Sequence, residues 1–419
     1  MPSRRAVLIV IDGLTPSVFE SAVEDRSAPT LAQLADAGTY RRAVTTFPSL
    51  TPVCLTSIAT GAHPDVHHIP HLVWWNRQER RIVEYGSSFG AIRAAGTRRS
   101  IRDTIVGMNR DHLSKDAETI YEAAERAGLT AAAVNITCYR GSHRYLPTVP
   151  GIAPATFGPR RFFFYNLYES DPIGAPLAVR DRAHGSVDEY AAAAGRWLVT
   201  RDGFDLLVYY LSDIDFASHL HGPDGVREQL VKTDGSVRAL VDAAGGVDEF
   251  LERYAVLVCS DHGQTHVDRA VRLQDHVRSS DTVTASNRAG MIYTDDPRAA
   301  AVSLDPVEAV DATFFLEDGA VVARRDGDED ATLLDEYPLG RERVTAALRN
   351  PNAGEVLVSA ADGWEFADLA GLHHAGGGSH GSLTTGDSEV PILGVGIDPP
   401  ARTIDVKDAM LSILRSPVT

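Results

Sequence analysis

The segment Ser212–Pro223, SDIDFASHLHGP, sets Asp215 and His219 four residues apart. On a helical turn that spacing puts a carboxylate and an imidazole on one face, a donor pair suited to one metal ion. Asp261 and His262 stand together in CSDHG, where adjacent side chains reach the same ion if the backbone turns, and Gly263 is expected to permit that turn. His380 lies in GGGSHGSL, among glycines expected to let the backbone approach a ligand closely. Oxygen and imidazole donors without thiolate point to zinc, with manganese as the alternative. Two such ions about 4 Å apart clamp both the attacking and the leaving oxygen of a displacement at phosphorus.

That chemistry needs a nucleophile, and FPSLTPVCLTSIATGAHP, Phe47–Pro64, offers Thr51. The threonine precedes Pro52 and an apolar, helix-compatible run, so its hydroxyl is expected at a helix N-terminus facing an anion. An ordinary helix cap accounts for a threonine in that position equally well.

The elements that must position these residues follow from hydrophobic runs. Ala6–Asp12, Thr130–Asn135, Asp205–Asp213 and Tyr254–Asp261 are short apolar segments without alternation that stop at a polar residue. This is the pattern of strands buried on both faces. Between them lie helix-like stretches: Pro29–Ala37 closed by Gly38, Ala117–Ala127 closed by Gly128, and Ser236–Arg253. Alternation of the two predicts an α/β fold, a doubly wound and mostly parallel sheet with helices on both faces. Ligands of such sheets bind beyond the carboxyl ends of the strands, where Asp12, Asp213, Asp215, Asp261 and His262 fall.

Composition sets the outer bounds. The chain has 419 residues, 44% of them hydrophobic, 23% charged and 7% aromatic, which suits one large core or two ordinary ones and excludes a disordered chain. A net charge of −17 argues against a broad grip on a nucleic-acid polymer, so an anionic substrate must be held locally. The first apolar run, Ala6–Ile11, is too short to span a bilayer and no signal-cleavage pattern accompanies it, so a cytoplasmic location without membrane attachment is expected. Cys54, Cys138 and Cys259 lack CxxC spacing and read as buried reduced thiols.

Taken together, the motifs resemble the alkaline phosphatase superfamily and, within it, the type I phosphodiesterase/nucleotide pyrophosphatase branch. IDG at 11–13, APTLAQLADAG at 28–38, FPSLTP at 47–52, TGAHPDVH at 60–67, DFASHLHGP at 215–223, SDHG at 260–263 and SHG at 379–381 occur in the family's order. The resemblance implies one divalent ion held by Asp12, Thr51, Asp261 and His262, and a second held by Asp215, His219 and His380. It also implies that Thr51 is the nucleophile of a phospho-threonine intermediate that water then hydrolyses. The D-x-x-x-H spacing selects Asp215 over Asp213. The substrate class implied is a small-molecule phosphodiester or pyrophosphate, with phosphonate (C–P) hydrolysis of the phosphonoacetate hydrolase type, a phosphomonoesterase or phosphomutase, and a dead metal-binding site as alternatives.

Nucleotide pyrophosphatases carry an asparagine shortly after the TGxxPxxHG stretch; the aligned position here is Leu72, and Asn76 is the nearest substitute. Residues 1–419 read as a single catalytic domain with inserted segments at 139–201 and 285–350. In the first of these, Tyr139, Arg140, His143, Arg144, Arg160, Arg161 and Phe162–Phe164 either line a pocket or form a packed hairpin. Trp74, Trp75 and Tyr210 are candidates to stack on a leaving group.

Overall fold

The computed structural model describes residues 5–151, 153–170 and 185–415. Eight strands make the main sheet: β1 (Arg5–Ile11), β2 (Thr39–Val44), β3 (Ala131–Val134), β4 (Arg161–Phe164), β5 (Tyr168–Glu169), β6 (Leu206–Leu211), β7 (Tyr254–Cys259) and β8 (Glu389–Val395), in the spatial order β2-β8-β7-β1-β6-β3-β4-β5. Strands β7, β1, β6, β3 and β4 run parallel, with Ile9 opposite both Tyr209 and Val258. The outer pairs β7–β8, β8–β2 and β4–β5 are antiparallel.

Alternation along β1 explains why its sequence is apolar throughout. Val7, Ile9 and Ile11 pack into a core on one face, and Ala6, Leu8 and Val10 into another on the opposite face. Helices cover both faces: Pro29–Ala37, Val187–Val199 and Arg227–Ala244 on the first, with α1 (Thr51–Thr60), Ile120–Arg126 and Val406–Arg415 on the second. Each fully buried Val, Leu or Ile contributes about 1.5–3 kcal/mol, so this double layer fixes the strand ends firmly. The doubly wound α/β expectation holds.

Two helix boundaries differ from the sequence reading. The stretch Ser236–Arg253 is not one helix, because Arg227–Ala244 and Val247–Arg253 are separated at Gly245–Gly246, both with positive φ. The helix expected from Ala117 begins only at Ile120, where Thr119 and Glu122 form a reciprocal capping box.

Within 139–201 the described residues include β4, β5 and the helix Val187–Val199, all integral to the main sheet layers. Phe162, Phe163, Phe164 and Tyr139 are buried in its cores rather than lining a pocket, so the packed reading prevails for them. The stretch 285–350 falls inside a second, antiparallel sheet of six strands that runs from Thr282 to Ala360. Helices Pro297–Leu304 and Gly340–Leu348 pack on its two faces. A three-stranded sheet of Thr265–Val271, Gly363–Phe366 and Gly377–Ser379 lies between the two larger ones and ends beside His380. Among the described residues, no helix is long and apolar enough to cross a membrane.

Candidate active site

Strand ends bring the candidate residues together. Asp12 follows β1, Asp215 and His219 lie on α2 (Asp213–His221) just after β6, and Asp261 and His262 follow β7. Thr51 is the first residue of α1, and His380 follows the strand Gly377–Ser379. Asp12, Asp261 and His262 form one cluster of donor atoms and Asp215, His219 and His380 another, each within 4.8 Å. The rings of His262 and His380 stack at 3.6 Å, so the clusters adjoin.

Thr51 is not a helix cap. Leu50 occupies the cap position, the helix start carries no side-chain cap bond, and the threonine hydroxyl instead lies 3.0 Å from His262 Nε2. Asp213 sits apart from both clusters, its carboxylate accepting from the Asp188 amide at 3.4 Å.

All three histidines are oriented in the same way. His219 Nδ1 donates to Gly378 O at 2.8 Å, His262 Nδ1 to Gly263 O at 3.0 Å and His380 Nδ1 to Ser49 O at 2.9 Å. Each therefore turns Nε2 toward its carboxylate neighbours, the arrangement in which a backbone carbonyl fixes the tautomer of a metal-ligating imidazole. Asp12 Oδ1 and Asp261 Oδ2 are buried without a hydrogen-bond partner, and they lie 3.1 and 3.6 Å from His262 Nε2. Buried, unpartnered carboxylate oxygens are costly unless a cation meets them.

The electrostatics state the same need. Burial, and next the nearby Asp12, push the Asp261 carboxyl well above its ordinary range. Burial alone would depress His262, but Asp261 and Asp12 outweigh it and hold its proton up to about 10. Burial and then His262 push His380 well below the ordinary imidazole value. A divalent cation supplies the positive charge that this crowd of carboxylates otherwise draws from the His262 proton, so the donor set fits a metal centre.

Several residues that the motifs did not single out complete the site. Tyr210 lines the cavity and donates its hydroxyl to Asp12 Oδ2, which makes it a positioning residue for Asp12. Gln264 donates Nε2 to Asp215 Oδ1 at 2.5 Å and accepts from Ser218 at 2.9 Å. Asn287, in the turn between two strands of the second sheet, donates Nδ2 to His380 Nε2 at 2.9 Å. His374 stacks on His219 at 4.0 Å and donates Nδ1 to the buried Glu365 at 3.0 Å. Asn76 is no substitute for the missing amide at Leu72: its side chain accepts from Gln78 and Glu79 in a hairpin, whereas Leu72 itself faces the cavity. Trp74 is buried in the core.

The glycines act differently from expectation. Gly263 does not adopt a positive φ; it is needed for space, since a Cβ there would stand 2.1 Å from Gly386 O. Gly377 lets its strand approach α2, where a Cβ would meet His219 O at 2.1 Å. Gly263→Ala is expected to cost more than ~2 kcal/mol through overpacking, read as a fall in unfolding midpoint; an unchanged midpoint would contradict the geometry. Tyr210→Phe removes only the hydroxyl on Asp12 and is expected to lower kcat roughly 10–100-fold with the fold intact, and unchanged kcat would remove its positioning role.

The sequence of residues 6–383 matches the family model of type I phosphodiesterase/nucleotide pyrophosphatase. The chain belongs to that family. As a member it is a phosphodiesterase/nucleotide pyrophosphatase-like hydrolase. Among solved structures it is similar to phosphonoacetate hydrolase from Sinorhizobium meliloti 1021 bound to phosphonoformate, at TM-score 0.67 and 18% identity over 99% of this chain and 96% of that one. It is also similar to murine ectonucleotide pyrophosphatase/phosphodiesterase 5, at TM-score 0.64 and 14% identity over 98% and 95% of the two chains. An inactive threonine-to-alanine variant of that murine protein, in complex with AMP, matches at TM-score 0.63 and 14% identity over 98% and 95%. These likenesses support the fold of the family. No curated protein gives a significant match in sequence.

Proposed function

We propose that this family member cleaves phosphodiester or pyrophosphate-type bonds of small molecules through a phospho-threonine formed on Thr51. The observation that carries the reading is the Thr51 hydroxyl, 3.0 Å from His262 Nε2 and free of any capping bond, in a cavity of about 440 Å³ bordered by both donor clusters. Two divalent ions, zinc or else manganese, would be held by Asp12, Thr51, Asp261 and His262 and by Asp215, His219 and His380; when bound they lower the hydroxyl pKa and neutralise charge on phosphorus oxygens.

The chain's own residues account for the rest. Thr51 Oγ1 stands at the N-terminus of α1, where the helix dipole favours an anion. The hydroxyl oxygen attacks phosphorus, the leaving oxygen departs with its electron pair and takes a proton, and water later breaks the Oγ–P bond to restore the threonine. Asn287 supplies an amide donor at the cavity wall from which a phosphoryl oxygen can accept. Tyr210 and Gln264 hold Asp12 and Asp215 in place. Residues 1–419 are proposed as one catalytic domain, with core strands contributed by both the 139–201 and 285–350 segments.

The wall of the cavity favours diesters over monoesters and over phosphonoacetate. A monoester brings a second negative charge and phosphonoacetate a carboxylate, and no lysine or arginine among the described residues lines this cavity. With zinc or manganese added, bis(p-nitrophenyl) phosphate is expected to be hydrolysed faster than p-nitrophenyl phosphate at equal concentration, with phosphonoacetate untouched. The reverse order would overturn the diester reading, and turnover of phosphonoacetate alone would replace it with phosphonate hydrolysis.

A further inference from the structure

The cavity around Thr51 is lined by two kinds of residue. The donor clusters border it, and Leu72, Tyr85, Met108 and Tyr165 add hydrocarbon, as do Phe216 and Leu220 beside the donors of α2. Phe216 directly follows Asp215 and Leu220 directly follows His219, one helical turn apart on α2. Both line the cavity yet remain 61% and 73% exposed. Two large apolar side chains kept in water beside a reactive centre, with no lysine or arginine lining the cavity among the described residues, mark a surface completed by an apolar ligand group.

We propose that the organic ester group of the substrate lies against Phe216 and Leu220, and that these two residues select an uncharged, hydrocarbon-rich group over one bearing a carboxylate. The proposal rests on the phosphodiesterase reading above. Its physical basis is twofold. Each methylene moved from water onto these two residues contributes up to about fourfold in transition-state binding. A carboxylate brought against these side chains loses hydration and meets no lysine or arginine among the described residues.

The test uses p-nitrophenyl phosphodiesters whose second ester group is methyl, butyl, hexyl or 5-carboxypentyl, assayed as p-nitrophenolate release with the full chain and added zinc or manganese. The expected result is a kcat/KM for the hexyl ester at least tenfold above the methyl ester, with the 5-carboxypentyl ester below the butyl ester. Phe216→Ala combined with Leu220→Ala should bring the hexyl-to-methyl ratio close to one, and both side chains are exposed enough for the fold to survive. Leu220→Lys should raise the 5-carboxypentyl ester relative to the hexyl ester. A hexyl-to-methyl ratio near one in the unaltered protein, or a large ratio that persists in the double variant, overturns this proposal alone. Failure to turn over even the methyl ester overturns the phosphodiesterase reading and this proposal with it.

Discussion

Thr51→Ala is expected to leave a folded protein that binds most of its metal and turns over phosphodiesters at least ~10³-fold more slowly. The hydroxyl makes one hydrogen bond, to His262, whose loss costs about 1 kcal/mol. Six other ligand side chains remain, so binding and catalysis should separate in the variant. Thr51→Ser keeps the attacking oxygen and loses only the methyl group that restrains its rotamer, and it should retain partial activity. A capping role would cost a similar ~1 kcal/mol of stability in the alanine variant but leave activity nearly unchanged, so the rate is the readout that separates the two. Steady-state kinetics with bis(p-nitrophenyl) phosphate, set beside thermal melts, read both quantities. Full activity in Thr51→Ala would remove the nucleophile assignment.

The residues of the site divide according to how local their signals are. Strands β1, β6 and β7 were legible because a strand buried on both faces must be apolar throughout and can turn polar only where it ends, at Asp12, Ser212 and Ser260–Asp261. Asp215 and His219 were legible because one helical turn relates them. Tyr210, Gln264 and Asn287 act by reaching across the chain, with Tyr210 meeting Asp12 over 198 residues and Asn287 meeting His380 over 93. Nothing in the neighbourhood of a lone tyrosine, glutamine or asparagine encodes such a partner, so only the fold discloses their roles. At Gly263 the short motif suggests a turn, whereas the steric demand comes from Gly386, more than a hundred residues away. The long helix expected up to Arg253 failed on two adjacent glycines whose left-handed backbone ends one helix and starts another.

Removal of metal is expected both to silence and to destabilise the protein. Asp12, Asp261, His262 and His380 are almost fully buried, so without metal the clusters hold carboxylates and imidazoles together with little hydration. Chelation should therefore abolish turnover and lower the unfolding midpoint, and restoring zinc or manganese should reverse both. At a free metal concentration about 1,000-fold above its dissociation constant, each site adds roughly 4 kcal/mol to folding stability. Protein purified without chelator should carry near two equivalents of divalent metal. His380→Ala should lose mainly one of them, because Asp215 and His219 are left with an incomplete donor set while Asp12, Asp261 and His262 all keep their donor atoms. A reproducible content below one equivalent, or a midpoint and rate indifferent to chelator, would contradict the assignment of the two clusters.

The covalent role of Thr51 is tested most directly by the stereochemistry of hydrolysis at phosphorus. A p-nitrophenyl phosphorothioate diester of single configuration, hydrolysed in ¹⁸O-labelled water, gives a product whose configuration counts the displacements. Attack by Thr51 followed by attack of water makes two inversions, and the account predicts net retention. Net inversion would mean that water displaces the leaving group in one step, and it would contradict the phospho-threonine.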